Sequence, residues 1–349
     1  MADSVIDWEA AVRAGRRLAP TGPAVTPADA RQAVADLRSL SARAELVVRD
    51  TARLGQGLPV ADAVVVDRPA WIAATAEGME LLTEPVVRRL TAQASRVPAR
   101  AGALAGTQLG AVLAFLSGRV LGQFDPLVDA DGPVGRHAAP SPGRLLLVAP
   151  NIVKVERELR ADPLDFRMWV CLHESTHRLQ FTAVPWLRDH FRGLVAEYAE
   201  VSDIDPGEML RRAARAVSAR REGRSWIETM QTAEQRAVFD RLMGLMTLLE
   251  GHADWVMDAV GPSVVPSVAA IRSRFGERRR RGRGPLDRLL RSLLGMDVKL
   301  AQYVHGAAFV AAVVDRLGVD GFNRVWTSPE TLPTRAETTD PDAWLARVG

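Results

Sequence analysis

Two of the six histidines in this chain, His173 and His177, stand four positions apart in "VCLHESTHRLQF", and Glu174 directly follows the first. On an α-helix, residues at i and i+4 share a face, so both imidazoles can aim a nitrogen at one metal ion. Glu174 is offset by about 100°. It can reach a water on such an ion, but it cannot replace a histidine. Catalytic zinc takes three protein ligands and leaves its fourth position to water. The chemistry implied is hydrolysis by zinc-activated water, with Glu174 as general base. The blander alternative is a helix with two structural histidines. Val170, Cys171, Leu172, Leu179 and Phe181 around the motif make the helix partly buried. Buried histidines need partners, and a metal is one.

A third ligand is needed. The spacing HExxHxxGxxH would put glycine at 180 and histidine at 183, where this chain has Gln180 and Ala183, so that arrangement is excluded. A glutamate from a later helix is the other solution. Glu250 in "LLEGHADWVMD" follows Met246, Thr247, Leu248 and Leu249. On so apolar a helix an unpaired carboxylate is costly, and coordinating a cation removes the cost. Asp254 lies one turn further on and could support a ligating histidine. The rival is Glu197 in "VAEYAEVSD", on a more mixed helix where a glutamate can face solvent. Burial favours Glu250. For an oxyanion donor, Tyr303 in "AQYVHG" is the first candidate, with His252 and His305 as alternatives.

"LHESTHRLQFTAVPWLRDH", "LLEGHADWVMD", "KLAQYVHGAAFV" and "GFNRVWTSPETLPT" together resemble the zincin-like zinc metallopeptidase family of actinobacteria. Some of its members are associated with biosynthesis of the deazaflavin coenzyme. The resemblance runs from about Trp71 to Thr334. It implies a mainly α, zincin-like metallopeptidase fold with a short β element before the HExxH helix. It also implies zinc as cofactor, His173, His177 and Glu250 as its ligands, Glu174 as catalytic glutamate, and a peptide or protein substrate. A zincin-like scaffold that binds zinc without turnover is the alternative.

The elements that must position these residues are mostly helical in spacing. Helices are expected over Ile6 to Leu18, from the Thr26-Pro27 cap to about Leu54, from Pro69 to Ser95, through the small-residue stretch to about Leu121, from Pro163 after an Asp162 cap, after Pro185, from Ser225 to Val260, and from Leu300 to Leu317. "LLLVAP", Leu145 to Pro150, is the best strand candidate. Zincins commonly pair an extended peptide with a strand edge, so this strand is the expected place for a substrate backbone. "RFGERRRRGRGP" reads as a charged loop, and the chain after Leu317 as an irregular tail. With no repeat and no long linker, residues 1–349 are expected to form a single domain.

Composition fits a globular protein. Of 349 residues, 47% are hydrophobic, enough for a sizeable core, and 25% are charged. A net charge of +3 gives no strong nucleic-acid signal. The single cysteine, Cys171, cannot form an intrachain disulfide and reads as a packing residue. That, with an N-terminus unlike a secretory signal, suggests a cytoplasmic protein. The uncharged run between Arg100 and Arg119 is rich in glycine and weakly hydrophobic, and no membrane span is expected.

Overall fold

A computed structural model of the chain describes residues 5–93, 99–128, 143–201, 232–281 and 296–349. The fold is mostly helical, with one small three-stranded sheet. The elements in chain order are α1 (Trp8–Leu18), α2 (Pro27–Ala52), β1 (Val64–Val66), α3 (Arg68–Gln93), α4 (Ala99–Ser117), β2 (Gly122–Asp125), β3 (Arg144–Val148), α5 (Ala149–Leu159), α6 (Pro163–Ala183), α7 (Leu187–Glu200), α8 (Ala233–Val260), α9 (Val268–Arg281), α10 (Met296–Phe322) and α11 (Pro341–Val348), with three short 3-10 turns between the last two. The caps read from sequence are present. Thr26 accepts from Asp29 N–H ahead of Pro27. Asp162 accepts from Leu164 and Asp165 N–H ahead of Pro163. These side chains satisfy N–H groups that a helix start leaves unpaired.

The chain divides into two compact units, one formed by Met1–Arg188 and His252–Gly282, the other by Asp189–Gly251 and Arg283–Gly349. The first is built around β3, all five residues of which are buried. Successive side chains on a strand point to opposite faces. Leu145 and Leu147 therefore join a cluster with Leu37, Ile152, Phe166 and Val170, while Leu146 and Val148 join another with Trp71, Ile72 and Leu113. Covered on both faces, the strand reads as a continuous apolar run rather than an alternating one. The small-residue helix α4 lies against α1, close enough for Asp7 N–H to donate to Gly102 O at 3.0 Å. Among the described residues no helix is long and apolar enough to cross a membrane.

Three expectations are corrected. The sheet order is β1-β3-β2, with β1 parallel and β2 antiparallel to β3. The "LLLVAP" strand therefore has both edges occupied and offers none to a substrate. Second, the supposed charged loop is helical as far as Arg281. Arg274 donates to the carbonyls of Leu159 and Arg160, and Arg278 pairs with Glu158. Arg274 thus satisfies the carbonyl end of α5, a helix not expected from the sequence. Third, the tail is ordered into 3-10 turns and α11, the latter capped by Asp340.

In the second unit, α8 and α10 cross backbone to backbone. A Cβ on Gly251 would fall 2.2 Å from the carbonyl carbon of Gly306, and one on Gly306 would fall 2.2 Å from Thr247 O. Only glycine permits this approach, which fixes the stretch of α8 that carries Glu250. Trp344 of α11 is fully buried against Phe309 of α10, and its indole N–H donates to Thr331 O.

Candidate metal centre

The motif helix α6 is buried almost all round, and its two sides have different work. At 100° per residue, Arg167, Cys171 and Arg178 fall within about 40° of one another, and His173, His177 and Gln180 within about 60° on the far side. The first group anchors the helix to α2. Arg167 bonds Asp36 and Glu156, and the Cys171 thiol lies 3.9 Å from Leu37 O. Arg178 pairs with Glu45, which also pairs with Arg49 one turn along α2. Arg178 donates in addition to Ala61 O, and Arg49 to the carbonyls of Leu58 and Pro59. Burial lowers the Arg178 pKa to about 10, still a cation at neutral pH. Burial, with the Glu174 charge adding to it, pushes the Cys171 thiol up, so it stays protonated and packs.

On the opposite side, His173 Nε2 and His177 Nε2 are 3.2 Å apart, with the rings nearly perpendicular. Two nitrogens bound tetrahedrally to one zinc, each at its usual distance, would be separated by roughly 3.3 Å. One ligand atom each from His173, His177 and Glu250 lie within 4.8 Å of one another. The donor set of two imidazoles and a carboxylate suits zinc. Glu250 precedes the fully buried His252 by two positions on α8. Glu197 is placed otherwise: it lies on α7, is half-exposed and pairs with Arg241. Asp254 lies one turn past Glu250, 4.0 Å from Arg272.

Glu174 is buried and sits against β2. A Cβ built on Gly122 would lie 2.8 Å from Glu174 Oε1 and 2.6 Å from its Cγ. Among the described residues no strand pairs with the outer edge of β2. Val148 N–H donates to Leu121 O, and Gly122 stands opposite Leu147. In an antiparallel ladder bonded and non-bonded pairs alternate, so the N–H and C=O of Gly122 and Phe124 face away from β3. A strand edge left unpaired among the described residues thus runs beside the Glu174 carboxylate.

Two residues behind the histidines were missed by the sequence reading in this role. Gln180 Oε1 lies 3.0 Å from His177 Nδ1, and Gln180 Nε2 lies 3.1 Å from His252 Nδ1. Both are fully buried. Burial, with His177 adding to it, lowers the His252 pKa to about 3, so His252 is neutral. Gln180 was legible in principle, since i+3 from His177 shares its face. His252, an alternative oxyanion donor in the sequence, lies fully buried beside Gln180. The other alternative, His305, is exposed on α10. Tyr303 lies on the same helix, but its side chain is outside the described residues, as are His137 and the start of the helix expected from Ser225.

A mostly helical chain with a histidine pair, a buried glutamate between them and a carboxylate from a later helix has the architecture of the zincin class. The model of the zincin-like metallopeptidase family matches residues 6–345, and the chain belongs to that family. A solved structure from Chloroflexus aurantiacus, provisionally assigned as a hydrolase with a novel fold, is 33% identical, with a TM-score of 0.70 over 98% of each chain. No functionally curated protein matches the chain.

Proposed function

We propose that the protein is a zinc-dependent hydrolase that cleaves peptide bonds, with Glu174 as general base. The observation that carries this reading is the position of Glu174. It lies on the motif helix between two histidines whose Nε2 atoms converge, and against the edge of β2 with which no described strand pairs. Zinc held by His173, His177 and Glu250 would supply a Lewis acid that acidifies water and polarises a carbonyl. An extended peptide would pair with the Gly122 and Phe124 backbone groups, in the manner of strand addition. Glu174 takes a proton from the attacking water and delivers it to the amine released as the C–N bond breaks. Tyr303 is the proposed oxyanion donor. A zinc-binding scaffold is the rival, and a purely structural site has no use for a carboxylate in the Glu174 position. Cys171 as a free buried thiol fits a reducing compartment such as the cytoplasm. The actinobacterial branch and its link to the deazaflavin coenzyme belong to this reading only as a resemblance.

The test is Glu174→Gln, nearly isosteric but without a basic carboxylate. Wild-type and variant proteins, both zinc-loaded, are compared on a broad peptide library. The variant should keep its zinc and lose about 10² to 10⁴ in cleavage rate. Equal cleavage by both would rule out the assigned role.

A further inference from the structure

Gln180 and His252 have no place in the hydrolytic steps, yet both are fully buried beside a metal-binding histidine. We propose that they form a positioning pair that fixes the tautomer of His177, through an amide whose oxygen faces His177 and whose nitrogen faces His252. The proposal rests on the metal centre above and concerns how it is held ready.

A neutral imidazole carries one N–H, and the ring nitrogen without it is the one that can ligate. His177 must therefore carry its hydrogen on Nδ1 if Nε2, which faces His173, is to bind a metal. The Gln180 oxygen 3.0 Å from Nδ1 accepts that hydrogen. A glutamine alone does not settle the matter. Turned end for end, it would offer an NH₂ group to Nδ1 and favour the tautomer whose Nε2 is protonated and cannot ligate. The Gln180 NH₂ lies 3.1 Å from His252 Nδ1, which accepts from it only if His252 carries its own hydrogen on Nε2. The three groups thus form one directional chain in which the tautomers of His177 and His252 are coupled. Partners of this kind raise ligand basicity and fix ring orientation, and losing one typically costs about 10- to 100-fold in metal affinity. Carboxylates and backbone carbonyls are the usual partners. Here a neutral amide does the work, so its orientation has to be set by a further residue.

The experiment uses the full chain labelled with ¹⁵N-histidine. Long-range ¹H–¹⁵N correlation spectra of the zinc-loaded protein assign each ring, with single histidine substitutions giving the identities. Expected are His177 protonated on Nδ1 with zinc on Nε2, and His252 protonated on Nε2. Gln180→Met preserves the volume but can make neither bond, and should weaken zinc binding about 10- to 100-fold in chelator competition. Gln180→Glu can still accept from His177 but cannot donate to His252. It should therefore keep zinc while moving the His252 hydrogen to Nδ1, a change that a merely space-filling glutamine would not produce. Zinc held at wild-type affinity by Gln180→Met, or wild-type His252 signals in Gln180→Glu, would overturn the positioning pair and leave the metal centre standing. Failure of the wild type to bind zinc would remove the metal centre itself, and the pair with it. The wild-type spectra decide the tautomers even if a variant fails to fold.

Discussion

Gly122 and Glu174 are in van der Waals contact across the gap between β2 and the motif helix, with no room for even a methyl group between them. The glycine gives the glutamate a backbone wall beside the β2 edge that no described strand covers. Gly122→Ala should push the Glu174 carboxylate out of place while leaving both histidines alone. The expected outcome is zinc bound at wild-type stoichiometry with peptide cleavage down at least about tenfold, since displacements of about 1 Å near reacting groups carry penalties of that order or larger. Metal analysis and kinetics on the same preparation check it. A variant that loses zinc and activity together would place Gly122 among the residues that hold the whole site.

The assignment of the third ligand has a direct comparison. Glu250→Ala should lose most of the bound zinc, because it removes the only carboxylate grouped with the two histidines among the described residues. Glu197→Ala removes a half-exposed partner of Arg241 and should keep it. Zinc content per chain after exhaustive dialysis is the readout, and reversed outcomes would make Glu197 the ligand.

The buried cluster of Glu45, Arg49 and Arg178 predicts an order of stabilities. Glu45→Gln leaves two guanidinium groups facing each other with no counter-charge. Arg178→Met leaves one balanced pair. Orphaning a buried charge costs about 3–5 kcal/mol, so Glu45→Gln should lower the melting temperature more than Arg178→Met. Thermal unfolding followed by circular dichroism measures both, and the reverse order would show that the Arg178 contact to Ala61 O dominates.

Acid should weaken the C-terminal unit in a definite range. Arg347 grips both oxygens of Glu337, and Thr334 N–H donates to one of them. The Arg347 hydrogen bonds are the largest influence holding the carboxyl below its ordinary value of 4.5. A pKa depressed on folding stabilises the fold above the unfolded value, and the benefit is lost as pH falls through the folded one. The gap in melting temperature between wild type and Glu337→Gln should be full at about pH 6 and close as pH drops below about 4. A gap that does not change with pH would mean that the carboxylate charge is not what matters there.

How much of this was legible in the sequence depends on whether the signal was local. The α6 cap at Asp162, the histidine spacing and the run around Glu250 were each legible within a few residues; the cap is present, and the two histidines and Glu250 fall into one group. The strand at Leu145 was legible for the same reason, but its neighbours were not. β1 and β2 are only three and four residues long, and which edge stays open is decided by pairing between distant segments. Gly122 carries no chemical group to notice, and its importance comes from what lies opposite. Arg274 and Arg278 of α9 read as part of a solvated loop because their partners lie more than a hundred positions away, the last carbonyls of α5 for Arg274 and the Glu158 carboxylate for Arg278. In the sequence Gln180 serves only to rule out one zinc arrangement, and its contact with His252, 72 positions away, is not a local signal.

The anchoring of the motif helix to α2 bears on how the protein acquires its metal. Arg167, Cys171 and Arg178 hold the helix from the side away from the histidines, through contacts that involve no ion. The helix that carries both histidines is thus held without an ion, unlike small zinc modules that collapse when stripped. Removal of the ion should therefore leave the motif helix folded, which circular dichroism of the dialysed protein checks. A spectroscopically active ion such as cobalt could be loaded into the dialysed protein, giving a visible absorption band by which inhibitors and substrates could be watched arriving at a centre that zinc leaves colourless.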